Sequence, residues 1–224
     1  MSQLRLALSD ALGPLYRIER EVRPVGEDRM FVVTQIGGGP AVLVKVLPAA
    51  KSLGIDEQRL EHDLLLLADR LQHGNLVPPK SCGRAGAHVF HTRAFIDGTT
   101  LHAWMAKNGA LPLNRAVAVL RGLLAGLAHA HAAGVAHGNL RAEHVLLTDS
   151  TAVVVDTGVA SLLGGAALRR ADMVTLGDLA RVMFTGPDDS LETLERARAL
   201  PGWLTEWVQT AWKDAVEANN ALQA

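Results

Sequence analysis

The chain has a single cysteine, Cys82, one tyrosine and four phenylalanines among its 224 residues. One cysteine excludes an intrachain disulfide and suits a reducing compartment. An excess of charge of either sign is also missing, because 22 Lys and Arg stand against 23 Asp and Glu. The basic residues form no run longer than a pair such as Arg169-Arg170. Nucleic acid and anionic membrane surfaces both require concentrated positive charge, so neither is an expected partner. Long apolar runs are absent too. The stretch 64–68 falls far short of the roughly 18 residues that span a bilayer. Residues 1–15 lack the basic start and continuous apolar middle of a signal peptide, and Leu4, Leu8 and Leu12 read instead as one face of a packing helix. The expectation is a cytoplasmic protein with no direct membrane insertion.

What is present is an ordinary globular composition, 49% apolar and 20% charged, long enough for one generous core or two lobes. Residues 16–22, 29–35 and 41–47 read as strands of an antiparallel meander, with Lys45 the one charged member of the third. From Asp56, a plausible N-cap, the period turns helical, with Leu60, Leu64, Leu67 and Leu71 on one face. Residues 88–96 read as a further strand that ends at Asp97-Gly98. Beyond lie an Ala/Leu-rich helix over 113–133 that stops at Gly134, short strands near 144–147 and 152–155, and helices over 172–184 and 204–218. A strand-rich part over 1–96 and a helix-rich part over 97–224 follow from this order. The fold class is α+β.

Particular residues sharpen that outline. Val42-Leu43-Val44-Lys45 is similar to the third-strand lysine motif of the protein kinases. His73-Gly74-Asn75-Leu76-Val77 resembles the segment after their regulatory helix, and Phe95-Ile96-Asp97-Gly98 resembles their hinge. Residues 127–147, including His137-Gly138-Asn139-Leu140-Arg141, are similar to their catalytic loop with the helix before it. Val155-Asp156-Thr157-Gly158 stands where an Asp-Phe-Gly would. With the stretch 172–186 these pieces keep the kinase order over roughly residues 16–215. The resemblance, strongest to bacterial Ser/Thr kinase domains, implies a two-lobed protein kinase-like fold with a small β-rich N-lobe and a truncated helical C-lobe.

Measured against that family pattern, many chemical groups have changed. The first hairpin, Arg23-Pro24-Val25-Gly26-Glu27-Asp28, has one glycine where a phosphate-covering loop would have several. The glycines at 37–39 lie in a later hairpin, where φ > 0 alone explains them. Lys45 is retained, with Asp63 as its expected helix partner and Glu61 as the other candidate. Asn139 stands at the catalytic aspartate position, and a neutral amide cannot accept a hydroxyl proton. His144 replaces a metal-binding asparagine, and imidazole is a poor ligand for Mg²⁺. Asp156 is kept, but Thr157 replaces the phenylalanine. Leu43 and Arg93 are expected to crowd the adenine pocket, and overpacking of that kind costs roughly 1–3 kcal/mol.

The segment from Asp156 to Asp172 is short for a kinase activation segment, and no Ala-Pro-Glu equivalent follows. The expectation is therefore a catalytically inactive pseudokinase: not an enzyme, with weak or no ATP binding and no cofactor or metal. It would act as a regulatory or scaffold module for a protein partner or as a homodimer. The alternative is a residual nucleotide-dependent phosphoryl transferase that uses Lys45 and Asp156. His129 and His131 lie on different helix faces and cannot chelate together. Trp203, Trp207 and Trp212 form a stripe read as core, and Cys82 is read as an inert loop thiol.

Overall fold

The computed structural model describes residues 2–25, 27–165, 168–186 and 206. The helix read over 204–218 and its tryptophans fall outside this set, apart from the single residue Glu206. Two compact units emerge, one of residues Met1–Gln72 with Val77–Ile96, the other of His73–Leu76 with everything from Asp97 onward.

The first unit is built on a five-stranded antiparallel sheet. Its strands are β1 (Tyr16–Val25), β2 (Asp28–Gln35), β3 (Val42–Val46), β5 (Pro79–Ala85) and β6 (His88–Ala94), in the order β1-β2-β3-β6-β5. Strand β4 (Leu76–Val77) belongs to the other sheet. Because side chains alternate along a strand, Phe31, Val33, Val44 and Val46 share one face and bury together with Ala85 and Phe90. Helix α1 (Gln3–Leu12) lays Leu8 onto that face, fully buried. Ser2 caps the helix by accepting the N–H of Arg5. Burying one leucine in this way stabilises the unit by roughly 1.5–3 kcal/mol.

After the short helix α2 (Ala49–Ser52), helix α3 (Glu57–Arg70) starts where Asp56 Oδ1 accepts the Arg59 N–H at 3.1 Å. Leu60, Leu64 and Leu67 are its buried face, continued by Leu71 just past its end. The apolar period in the sequence therefore locates this helix correctly. Strand β5 is not legible in the same way: Pro-Lys-Ser-Cys-Gly-Arg-Ala has little strand propensity, and pairing with β6 and packing of α3 hold it in place. Cys82 accordingly lies in a strand, not a loop. The β1–β2 hairpin is tighter than the sequence suggests, with Val25 opposite Asp28 and two residues between them.

The second unit carries a small sheet of order β4-β9-β8-β7, in which β7 is Thr99–Thr100, β8 Val145–Leu147 and β9 Ala152–Val155. Among the described residues its helices include α4 (Leu101–Asn108), α5 (Leu113–Ala132), α6 (Val159–Leu162) and α7 (Arg169–Thr185). Helix α5 buries Ala116, Val119, Leu120, Leu123, Leu127 and Ala130 along one stripe. The segment around Asn75 is stitched into this unit, because Asn75 Nδ2 donates to Ala152 O at 2.8 Å and its carbonyl accepts Val154 N–H. Gly122 permits the approach: a Cβ there would come within 2.8 Å of Asn75 Nδ2.

Candidate active site

The loop from Val135 to His144 is organised by one carboxylate. Asp172, near the start of α7 and 2% exposed, accepts the backbone N–H of His137 at 2.6 Å and of Gly138 at 3.0 Å. It also accepts His131 Nε2–H at 2.8 Å. A buried carboxylate is tolerable only when its oxygens are satisfied in this way. Asp172 therefore fixes the backbone path of the loop that presents Asn139. In the sequence this residue stands out only as the start of a helix. The signal that points further is an acid in the first turn of an otherwise buried helix.

His137 is 1% exposed. Its Nε2 faces Val155 O at 3.0 Å, and its Nδ1 faces the Asn139 backbone N–H at 3.3 Å. A carbonyl can only accept and an amide N–H can only donate, so the ring is the neutral tautomer with hydrogen on Nε2. Burial pushes its pKa below the usual imidazole value, against the opposing pull of Asp172 and Asp156. His137 thus ties the loop to β9 as an uncharged brace.

His144 follows from the same logic. It ends a 3₁₀ turn (Ala142–His144) that leads into β8, and its Nδ1–H must donate to Asn139 O at 2.7 Å. The ring is thereby oriented, and Nε2 lies 3.9 Å from Asp156 Oδ2. His144 is 3% exposed. Asp156 is the one non-glycine residue with positive φ among the described residues, at φ 61°. Such a conformation is sparsely populated and costs about 1 kcal/mol or more, so it persists where surrounding structure enforces it. Here Val159 N–H bonds Asp156 O, and Gly158 N–H bonds His137 O at 3.3 Å. Thr157 between them is 1% exposed, and its hydroxyl oxygen has no hydrogen-bond partner among the described residues. Asn139 itself is exposed.

The first unit holds the remaining predicted residues. Lys45, 8% exposed, forms an ion pair with Asp28 at 3.3 Å. Met30 stands opposite Lys45 in the β2–β3 ladder, so Asp28, two residues along, shares its face and lies within diagonal reach. Asp63 forms an ion pair with Arg59 on its own helix at 3.8 Å. Glu61 is an exposed residue that, after burial and ahead of Glu57, helps push the Cys82 thiol up to about 11. That value fits an inert thiol. Leu43 and Arg93 are direct cross-strand partners and are 4% and 8% exposed.

Among the described residues of the second unit, His144 and Asp156 bring one imidazole nitrogen and one carboxylate near each other. That set does not fit the Mg²⁺ that phosphoryl transfer generally uses, since Mg²⁺ demands hard oxygens in near-octahedral array. No group of three His, Cys, Asp or Glu side chains converges among the described residues. The expected separation of His129 from His131 holds: His131 meets Asp172, while the His129 ring packs 5.2 Å from that of His73.

With this geometry in place, the class is defined: the chain has the protein kinase-like fold. A crystal structure of the Mycobacterium tuberculosis PknI kinase domain superposes with a TM-score of 0.67, covering 90% of this chain and 96% of that one at 19% identity. In sequence the chain is similar to bacterial Ser/Thr protein kinases. The serine/threonine-protein kinase PknL of Mycobacterium bovis is 33% identical over 169 residues, which is 74% of this chain and 42% of PknL. PknD of Mycobacterium tuberculosis is 35% identical over 124 residues, 54% of this chain and 19% of PknD. The chain thus spans between about a fifth and two fifths of the length of these relatives. No protein-family model matches it.

The relatives correct one expectation. The substitutions at Asn139, His144 and Thr157 suggest a chain that is not an enzyme, yet the proteins it resembles are named as kinases. The physical reason lies in what kinase chemistry asks of a protein. Most of it is positioning and electrostatics, and the loop-positioning hydrogen bonds around Asp172 are complete. Among the described residues, no helix is long and apolar enough to cross a membrane.

Proposed function

We propose that the chain is a nucleotide-dependent phosphoryl transferase of the Ser/Thr kinase type, slowed by the absence of a proton acceptor at Asn139. The observation that carries this reading is Asp156, a carboxylate held at φ 61° between hydrogen-bonded neighbours. Strain of this sort is kept where a side chain must be aimed. Lys45, buried in β3, is the cation assigned to the nucleotide phosphates, and the Asp172-braced loop is assigned to the acceptor hydroxyl.

An amide at position 139 orients a hydroxyl but cannot take its proton. Losing general-base help costs about 10²–10⁴-fold in rate. Transfer then depends on positioning, because a loose transition state places little early demand on proton removal. The test is transfer of labelled γ-phosphate from ATP to the chain itself or to a Ser/Thr-rich protein acceptor. Slow, time-dependent incorporation that is lost in Asp156→Ala supports the reading. Incorporation no different from that of heat-denatured chain contradicts it.

A further inference from the structure

Strand β2 opens on an acid, Asp28, that is paired with a β3 base. We propose that the tip of the β1–β2 hairpin is an autoinhibitory latch, in which Asp28 and Glu27 hold lysine positions that an incoming polyphosphate must take over. This deepens the phosphoryl-transfer reading by naming a regulation of the same site, and rests on that reading for the assignment of Lys45 to nucleotide phosphates.

Three features carry it. The first is a double attachment. Asp28 Oδ2 lies 3.3 Å from Lys45 Nζ, and the adjacent Glu27 places Oε2 2.9 Å from Lys51 Nζ on α2. Two consecutive acids thus tie one turn to β3 and to the helix that follows it. The Glu27–Lys51 pair is exposed and weakened by salt, whereas the Asp28–Lys45 pair is mostly sheltered from solvent.

The second is chemical likeness. An ammonium has three N–H donors and acts as a point charge, so it pairs with a carboxylate oxygen and a phosphate oxygen in the same way. A phosphate brought to Lys45 meets the Asp28 charge beside it. Either the two anions repel or the hairpin tip moves away.

The third is incomplete satisfaction. Asp28 Oδ1 is buried and has no hydrogen-bond partner among the described residues. An oxygen held this way has given up its hydration without a replacement bond. Opening the tip returns it to water, which offsets part of the lost ion pairing and brings the closed and open positions nearer in free energy. The strand has a place to bend, because the β1–β2 register shifts between Val22 and Val25, directly before the tip.

The test is calorimetric titration of the intact chain with ATP, with tripolyphosphate and with adenosine. Asp28→Asn keeps the shape and removes the charge. It is expected to tighten ATP and tripolyphosphate about tenfold and to leave adenosine unchanged. Glu19→Gln makes the same change in net charge at an acid paired with Arg17, and is expected to stay within about twofold of the wild-type chain. In the unaltered chain, ATP is expected to speed deuterium exchange at the Glu27 and Asp28 amides by about twofold or more. The latch is overturned if Asp28→Asn binds the polyphosphates no better, or if Glu19→Gln gains as much. It is overturned equally if ATP leaves exchange at the tip as it was, or slows it as a lid closing over its ligand would. Tighter polyphosphate binding by Asp28→Asn in a chain that transfers no phosphate would sink the function proposed above and leave the latch standing.

Discussion

The backbone N–H of His137 sits 2.6 Å from Asp172 Oδ2, a bond between two residues 35 positions apart in sequence. Through it a helix of the second unit dictates the path of the loop that carries Asn139. Charge-assisted bonds of this length are about twice as strong as neutral ones.

Replacing Asp172 by Asn should therefore be strongly destabilising. The amide offers one acceptor oxygen where the carboxylate accepts three donors, and its N–H₂ would point at other donors. A loss of about 3 kcal/mol is expected. At this chain length that is a fall in melting temperature of roughly 6–12 °C, measurable by calorimetry. An unchanged melting temperature would show that the loop is held some other way.

The brace formed by His137 makes stability depend on pH. Its folded pKa lies below the ordinary 6.5, chiefly because the ring is buried. Between those two values the unfolded chain binds a proton that the folded chain excludes, so stability rises with pH across that window. The contribution is complete above about 6.5 and is lost as the pH falls toward the folded pKa. Urea midpoints measured from pH 5 to pH 8 should climb through this range, and His137→Gln should flatten that part of the climb. An identical slope in the variant would assign the effect to other groups.

Thr157 offers a stabilising change. Its buried hydroxyl oxygen has no partner among the described residues, and such a group costs about 1–3 kcal/mol. Thr157→Val keeps the shape and removes the orphan. Denaturant unfolding is expected to give a gain of roughly 1 kcal/mol. A loss of stability would mean that the hydroxyl has a hydrogen-bonding role.

Much of this architecture can be read from the sequence because burial imposes a period. Leu60, Leu64, Leu67 and Leu71 announce α3, and Ala152–Val155 announces β9, since apolar repeats report what a face must cover. Strand β5 stays hidden because its residues favour nothing in particular and only β6 and α3 place it. The site is legible as a set of residue types: Lys45, Asn139, His144 and Asp156 all stand out against the kinase pattern. Their partners do not. Asp28 reaches Lys45 through strand register, and Asp172 reaches the loop from a distant helix. Sequence spacing encodes neither relationship. The expectation of a chain that is not an enzyme runs against relatives named as kinases: a missing side chain is visible in the sequence, whereas a positioning bond is visible only in the fold.

The most direct test restores the proton acceptor. Initial rates of labelled γ-phosphate transfer from ATP are compared for the wild-type chain and Asn139→Asp, each assayed with Mg²⁺ and with Co²⁺. Slow wild-type transfer and a rise of about 10²-fold in the variant are predicted. Both proteins remaining at background with either ion would contradict the assignment of this chain as a phosphoryl transferase.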